Sequence, residues 1–530
     1  MPKLEIIDDA ARPLAPDTQS WAAHTGLEAE LVQAPSGAAD GVLVLGQPSS
    51  EVIAQLTQTA GDIPVLVAGP GLGTDLAELA GVAIGPESPE HEMRLRLVPQ
   101  LDPRSEGDLL LRGTVPTITT LADDVQVLGE VHLGLDRHAF LTWRASSGCG
   151  ALTVAGHAGA WSNPRLLRTV ARWLRHCRGE PPARPLRVGL LGYGAIGHEH
   201  NRAVQAVPGL ELVAVCDQNP ERIEVARGLA PQARGYTDGM EMLQDPDVDL
   251  VVVSTPPNSH HRWAMDVLGA GKHVVLEKPM ALTAKQCDEV IARSREMQRV
   301  AVVYQNRRWD RDYLAIRSLR DSGALGDVFH VETFVGGYGH PCNYWHSDAG
   351  VSGGAIFDWG SHYLDQLLDL LGQPVSVSAR NHKRVWLDVT NADHSRVTVT
   401  FADGCEATFI HSDLAAAIKP KYYVLGTSGA AVGEWQHERI VSATDIGTVH
   451  EHRFAPADAP ARIRFFAPDG SLTEVALPDP QEFAFHRELA ALVLEGLPMS
   501  VTAEQSRQVV AVMEAAERSA LADGESVGLS

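Results

Sequence analysis

Arg187-Val188-Gly189-Leu190-Leu191-Gly192-Tyr193-Gly194-Ala195-Ile196-Gly197-His198-Glu199-His200 is the stretch whose reading decides the fold. A short apolar strand runs into G-x-G-x-x-G, and a helix-compatible segment, HEHNRAVQAV, follows. In that context Gly192 permits the tight turn, Gly194 lets a pyrophosphate approach the backbone and Gly197 lets the helix pack close to the strand. Ala195 and Ile196 complete the same phosphate-binding loop. The next strand, LELVAVCD, ends at Asp217, twenty residues after Gly197, where a carboxylate can accept hydrogen bonds from the adenosine ribose hydroxyls. Asp217 would repel a 2′-phosphate, which favours NAD. Arg222 at a nearby helix start could bind that phosphate instead, so NADP stays open.

Outward from this stretch, VDLVVVSTP, KHVVLEKP and RVAVVYQN continue the strand texture between amphipathic segments, the βαβ rhythm of a doubly wound parallel sheet over residues 186–306. Upstream, the proline-rich GEPPARP predicts a stiff linker at 179–185. Before it, GVLVLG (41–46), IPVLVAG (63–69), MRLRLV (93–98), DVQVLGEV (124–131) and ALTVAGH (151–157) predict buried, largely parallel strands of a separate α/β domain over 1–178. Downstream, FHVETFV, SRVTVTF, EATFIHS and KYYVLG crowd together around the helical DWGSHYLDQLLDLLG. Residues 307–530 are therefore expected to form an α+β domain for substrate binding and oligomerisation, with a mostly antiparallel open sheet. It closes with helices near 480–495 and 502–522, which are free to pack back on the Rossmann domain.

Of 530 residues, 44% are hydrophobic and 21% charged, as in a folded multidomain protein. Forty-four basic against 67 acidic residues give a net charge of −23 spread along the chain, which argues against a nucleic-acid partner. The start MPKLEIIDDAARPLAPD has neither a basic nor an apolar leader region, and no stretch is apolar enough to span a membrane. Six scattered cysteines without a C-x-x-C pair fit reduced thiols, and the expected location is cytoplasmic. No metal-ligand spacing is present, so no metal site is expected.

The chemistry-bearing residues fall at strand ends. Thr255, Pro256 and Asn258 of STPPNSHH belong at the carboxyl edge where such a sheet binds its ligand, whereas His260 and His261, adjacent at a helix start, read more readily as partly exposed polar residues than as ligands. Glu277-Lys278-Pro279 closes another buried strand, aiming Lys278 at the ligand crevice. Behind Gly353-Gly354, Asp358 and His362 stand at i, i+4 on one helix face continued by Asp365 and Asp369. A histidine there can accept a proton and an aspartate can fix its orientation. In GGYGHPCNYWHSD (336–348), Tyr344, Trp345 and His346 could stack on a sugar ring, form a lid or simply pack.

Gly192–Gly197, Asp217, Glu277-Lys278-Pro279 and Asp358-x-x-x-His362 behind Gly353-Gly354 together resemble the glucose–fructose oxidoreductase/inositol dehydrogenase/MocA family, as do QNRRWDRDYLAIRSLRDSGALGDV and the closing VTAEQSRQVVAVMEAAERSA. The resemblance covers about 185–530. It implies that Lys278, Asp358 and His362 are catalytic: His362 the acid/base on the substrate hydroxyl, Asp358 its support, and Lys278 the group that orients substrate. It also implies that Glu277, Lys278 and His260 (not His261) join the cofactor site, with Lys278, Tyr344, Trp345, Asp358 and His362 facing substrate. Residues 1–178, through FLTWRASSGCGALTVAGHAGAWSNPRLLRTVARWL and PEHEMRLRL, resemble the ThuA-like branch of the class I glutamine amidotransferase-like fold. This implies a flavodoxin-like domain with His157 in its G-H motif. Cys149 lies in the glycine turn SSGCG and reads as a loop thiol, not a nucleophile.

The combined expectation is an NAD(P)-dependent oxidoreductase, most simply a homo-oligomer (dimer or tetramer), acting on a secondary hydroxyl or ketone of a sugar, cyclitol or glycoside. Two alternatives stand beside it: a bifunctional enzyme whose first domain processes the keto-sugar product, and a non-catalytic NAD-binding sensor.

Overall fold

The computed structural model describes residues 2–529 apart from 9–20, 22–24, 26, 46, 69–71, 73, 89–90, 99–100, 102–108, 134–135, 154–160, 162–163, 181–183, 343, 437–439, 446–447 and 453–458. His157 and the middle of the 179–185 linker lie outside the described residues. The chain divides into two compact units. One comprises Met1–Pro185 with Val207–Gly209 and Glu488–Met499; the other comprises Leu186–Ala206, Leu210–Arg487 and Ser500–Ser530.

In the first unit a nine-stranded sheet runs Glu28–Leu31, Lys3–Ile7, Gly41–Val44, Val65–Ala68, Cys149–Leu152, Asp136–Arg144, Val125–Leu133, His91–Leu97, Leu109–Gly113. The first five strands are parallel, in the 2-1-3-4-5 order of flavodoxin-like sheets. The remaining four pair antiparallel, which corrects the expectation of a largely parallel sheet. Alternate residues of the central strands enter different cores: Leu43 and Leu66 pack with the helix Pro164–Cys177, while Val42, Val44, Val65 and Val67 pack on the opposite face. Burial on both faces is why these strands read as unbroken apolar runs. Cys149 is not a loop thiol. It begins a buried strand, and burial pushes its thiol up to about 12.

The second unit contains a six-stranded, all-parallel sheet in the order Arg234–Tyr236, Leu210–Cys216, Leu186–Leu191, Leu250–Val253, His273–Leu276, Ala301–Val303. Numbered along the chain this is 3-2-1-4-5-6, with its switch point between Leu186–Leu191 and Leu250–Val253. A second nine-stranded sheet is antiparallel except where Val328–Gly336 runs parallel to Glu406–Ser412. The helix Gly360–Leu371 lies against it through Tyr363 and Leu364, in one core shared with the strands of the parallel sheet. The closing helix Ala503–Leu521 starts with a reciprocal cap. Gln505 N–H donates to Thr502 Oγ1 at 3.2 Å and Thr502 N–H to Gln505 Oε1 at 3.1 Å, a device worth about 1 kcal/mol. Its Arg507 pairs with Asp288 at 2.9 Å and its Glu514 accepts from Ala284 N–H at 2.9 Å, which anchors it to the helix Ala284–Glu296. Among the described residues no helix is long and apolar enough to cross a membrane.

Candidate active site

At the end of the first parallel strand, Gly192 has φ +92°, and a Cβ there would lie 2.7 Å from the Ser254 carbonyl oxygen of the neighbouring strand end. Only glycine fits this turn. A Cβ on Gly194 meets nothing within 4 Å, and Gly197 packs the helix Ala195–Ala206 so close that a Cβ would approach Gly192 O at 2.8 Å. The open side of the loop and the free N–H groups of that helix's first turn, from Ala195 and Ile196, form a cradle that fits a pyrophosphate. Asp217 braces it: Tyr193 N–H donates to Oδ2 and Asn219 N–H to Oδ1, both at 2.8 Å. Each oxygen keeps a lone pair for a ribose hydroxyl. Arg222 lies 3.8 Å from the same carboxylate.

Across the switch point, Thr255, Pro256 and Asn258 follow the strand Leu250–Val253, with the Thr255 and Ser259 hydroxyls 2.7 Å apart. His260 departs from the place expected beside the nicotinamide. It is fully buried, and its Nδ1 and Nε2 each lie 2.7 Å from a backbone carbonyl, of Pro279 and Thr255 respectively. It ties two strand ends together and has no ring atom to offer a ligand. His261 is partly exposed and pairs with Glu289 at 2.8 Å. Glu277, also assigned to the cofactor, turns into the interior and accepts from His200 Nε2 at 2.8 Å.

Lys278 follows the strand His273–Leu276, and its bond to Pro279 is cis. Its Nζ donates to Asp358 Oδ1 at 2.9 Å and lies 3.3 Å from the Asp358 carbonyl oxygen. Gly353 and Gly354, at φ +87° and +99°, turn the chain into the short helix Ala355–Asp358. A side chain on Gly353 would strike Leu282 and Phe357 at 2.8 Å. The sequence reads as one helix through Asp358 and His362, yet it breaks at Trp359. There His362 N–H donates to the Trp359 carbonyl and Ser361 Oγ to that of Asp358. The break corrects the expected pairing: Asp358 is hydrogen-bonded to Lys278, and His346 Nδ1 stands 3.7 Å from the same Oδ1, with no bond to His362. Enclosure pushes the Asp358 carboxyl up, but Lys278 and His346 outweigh it and hold the group well below the usual carboxylate range. Burial, reinforced by the charges of Lys278 and Arg307, holds His362 well below the ordinary imidazole value, so the ring is neutral near pH 7.

His362 Nδ1 is buried with no hydrogen-bond partner among the described residues, which leaves Nε2 as the nitrogen able to take a proton. His346 stacks on Trp345, centroids 3.7 Å apart, and Tyr344 meets the same ring edge-on while staying half exposed. Trp345 thus supports His346. Arg307, absent from the sequence-derived site, stacks on Trp359 at 5.4 Å and adds charge beside His362; a loop arginine within NRRW gives no periodic signal of this. Asp365 and Asp369, on the expected polar stripe, are bound to Arg308 instead. Among the described residues no group of three His, Cys, Asp or Glu side chains converges to hold a metal ion.

Comparison with known proteins agrees with this architecture. Residues 186–305 match the model of the Gfo/Idh/MocA oxidoreductase family with its NAD-binding Rossmann fold, and 313–432 match that family's C-terminal domain. The chain is 28% identical over 354 residues to scyllo-inositol 2-dehydrogenase (NADP(+)) IolW of Bacillus subtilis, covering 64% of this chain and 96% of the relative. It is 30% identical over 250 residues to uncharacterized oxidoreductase YdgJ of Escherichia coli, covering 47% of this chain and 70% of the relative. The crystal structure of an NAD-binding protein from Listeria innocua superposes with a TM-score of 0.55 at 28% identity, over 65% of this chain and 97% of that one. The matched models begin at residue 186 and so do not bear on the ThuA-like resemblance of residues 1–178. Through its dinucleotide-binding and C-terminal domains the chain belongs to the Gfo/Idh/MocA family of NAD(P)-dependent oxidoreductases.

Proposed function

We propose that this enzyme oxidises a secondary hydroxyl on a polyhydroxylated ring, a cyclitol or sugar, or reduces the matching ketone, with NAD preferred over NADP. The observation that carries the reading is the Lys278 ammonium 2.9 Å from Asp358 Oδ1, with the neutral His362 beyond the next turn, at the carboxyl edge of the sheet that bears the glycine cradle. The bound nicotinamide supplies the hydride acceptor. The chain does the rest. Lys278 holds the substrate oxygen and stabilises the negative charge that grows as the carbon–hydrogen bond breaks, while His362 Nε2 accepts the hydroxyl proton. Asp358 holds Lys278 in place, and His346, with its ring fixed on Trp345, offers a polar edge to a neighbouring hydroxyl. Asp217 supports the choice of NAD because a 2′-phosphate would face its carboxylate. The name of the relative IolW supports the cyclitol class and keeps NADP in the comparison.

The test follows nicotinamide absorbance over a panel of inositols, aldoses and glycosides with both cofactors. Turnover of at least one ring polyol, faster with NAD, is expected, and Asp217→Ser should shift the preference toward NADP. Tight NAD binding with no turnover of any ring polyol would instead identify a binding protein.

A further inference from the structure

Behind Lys278 lies a buried polar chain that hydride transfer does not use directly. Glu277 Oε1 accepts from His200 Nε2 at 2.8 Å, and His200 Nδ1 lies 2.9 Å from His486 Nε2. All three residues are buried, with relative exposures of 7%, 0% and 1%. They come from three places: the helix after the glycine cradle, the residue immediately before Lys278, and the helix Ala484–Glu495. Tyr304 covers His200 at 4.5 Å between ring centroids and sends its hydroxyl to Glu199 at 2.7 Å, while Phe485 closes Tyr304 edge-on.

Counting donors fixes the arrangement. A carboxylate only accepts, so His200 Nε2 carries a proton, and a single proton serves the contact between His200 Nδ1 and His486 Nε2. Burial and the neighbouring His200 keep His486 from carrying charge. Glu277 Oε1 is held by His200 and Oε2 accepts from the Lys278 backbone N–H at 3.3 Å, so the side-chain donor that fixes this carboxylate is His200.

We propose that Glu277, His200 and His486 are positioning residues for Lys278: they clamp the lysine-bearing strand end to the helix of the cofactor cradle, with Glu277 Oε1 on His200 and Oε2 on the Lys278 N–H. The proposal rests on the reading of Lys278 as the oxygen-polarising group. The other charged or titratable groups around that lysine are Asp358, His346, His362 and, beyond His362, Arg307; His260 is engaged on backbone carbonyls.

The experiment uses the full chain and compares His200→Phe, His200→Gln and His486→Phe. His200→Phe should lower kcat by ~10- to 100-fold, the usual range for a lost supporting hydrogen bond behind a reactive group. KM for the polyol and Kd for NAD, titrated by fluorescence, should stay within about threefold. With the strand end no longer clamped, Lys278 is held less firmly against Asp358, and the basic limb of the kcat–pH profile moves to lower pH. His200→Gln, whose amide can still donate to Glu277, should recover most of kcat, and His486→Phe should fall between the two. A second readout needs no turnover: acylation of Lys278 by a small reagent, followed by peptide mass spectrometry, should be faster in His200→Phe than in the parent at the same pH. Unchanged acylation, or glutamine no better than phenylalanine, overturns the proposal. Faster acylation with unchanged kcat upholds the clamp and overturns the catalytic role of Lys278.

Discussion

Asp358 closes the short helix Ala355–Asp358 and Asp365 sits in the next helix, each against a cation, and the two pairs have opposite characters. Arg308 grips Asp365 with two parallel bonds of 2.8 Å and spends a third nitrogen on Ser500 O at 2.9 Å and Gln505 Oε1 at 3.0 Å; the two side chains are 4% and 2% exposed. Lys278 and Asp358 share a single side-chain bond of 2.9 Å, with the Asp358 carbonyl 3.3 Å from the same ammonium, and the two side chains are 17% and 25% exposed. A fully satisfied pair has nothing left to give a ligand and works as a brace. A more exposed, single-bonded pair keeps donors and acceptors to spare, as the proposed role at the substrate oxygen requires.

The largest effects should separate the two ends cleanly. Lys278→Ala and His362→Ala should each lower kcat by ~10²–10⁴-fold, with the midpoint of urea unfolding close to that of the parent and NAD affinity little changed. Asp365→Ala should do the reverse, since the buried Arg308 would lose its bidentate partner and keep only the longer 3.4 Å contact with Asp369, at a cost toward the lower end of about 3–5 kcal/mol of stability. Its unfolding midpoint should drop sharply, while kcat per folded molecule stays near the parent value. If Asp365→Ala abolished turnover at full stability, the division between brace and site would be wrong.

Asp358→Asn is the intermediate case, because the correction at Trp359 changes what the aspartate does. If Asp358 oriented His362, its loss would move the acidic limb of the pH profile. Bonded to Lys278 as it is, its loss should make the lysine give up its proton more readily. A roughly tenfold lower kcat, with the basic limb moved to lower pH, is therefore expected from kcat measured across pH. A shift confined to the acidic limb would restore the sequence-based assignment.

What the sequence made legible follows the same division. The glycine turn at Gly192, Gly194 and Gly197 and five of the six parallel strands were readable because each depends on local spacing. Arg234–Tyr236 was not, being three residues long and without an apolar run. The antiparallel half of the first unit escaped because only long-range pairing, such as Asp136–Arg144 with Val125–Leu133, sets strand direction. At the site, spacing alone put Asp358 over His362, and Lys278, from a distant strand end, took the carboxylate instead. His260 shows the limit most plainly: two adjacent histidines give no sign of which one will be buried with its ring nitrogens facing carbonyls. Contacts between distant segments, such as His200 with His486, leave no trace in local periodicity.

Glu517 extends the comparison to a carboxylate with neither a cation nor an evident substrate. It sits on the closing helix beside Gly354, and Asn381 Nδ2 donates to its Oε2 at 3.0 Å; among the described residues it forms no ion pair. Burial pushes its carboxyl up from the ordinary 4.5 to about 7, against a weaker pull from Asn381. The folded protein therefore holds this proton more tightly than the unfolded chain does. The stability it contributes is fully present below pH 4.5 and is lost as pH rises toward 7. Glutamine is neutral at every pH, so Glu517→Gln should flatten that part of the curve and leave the variant more stable than the parent above pH 7, as read from urea midpoints at a series of pH values. The effect should be smaller than at Asp365, because no buried cation is orphaned when the carboxylate goes. Parallel curves for the two proteins would mean that Glu517 is charged and solvated in the fold. Its neighbourhood would then resemble the open pair at Asp358 more than the sealed one at Asp365.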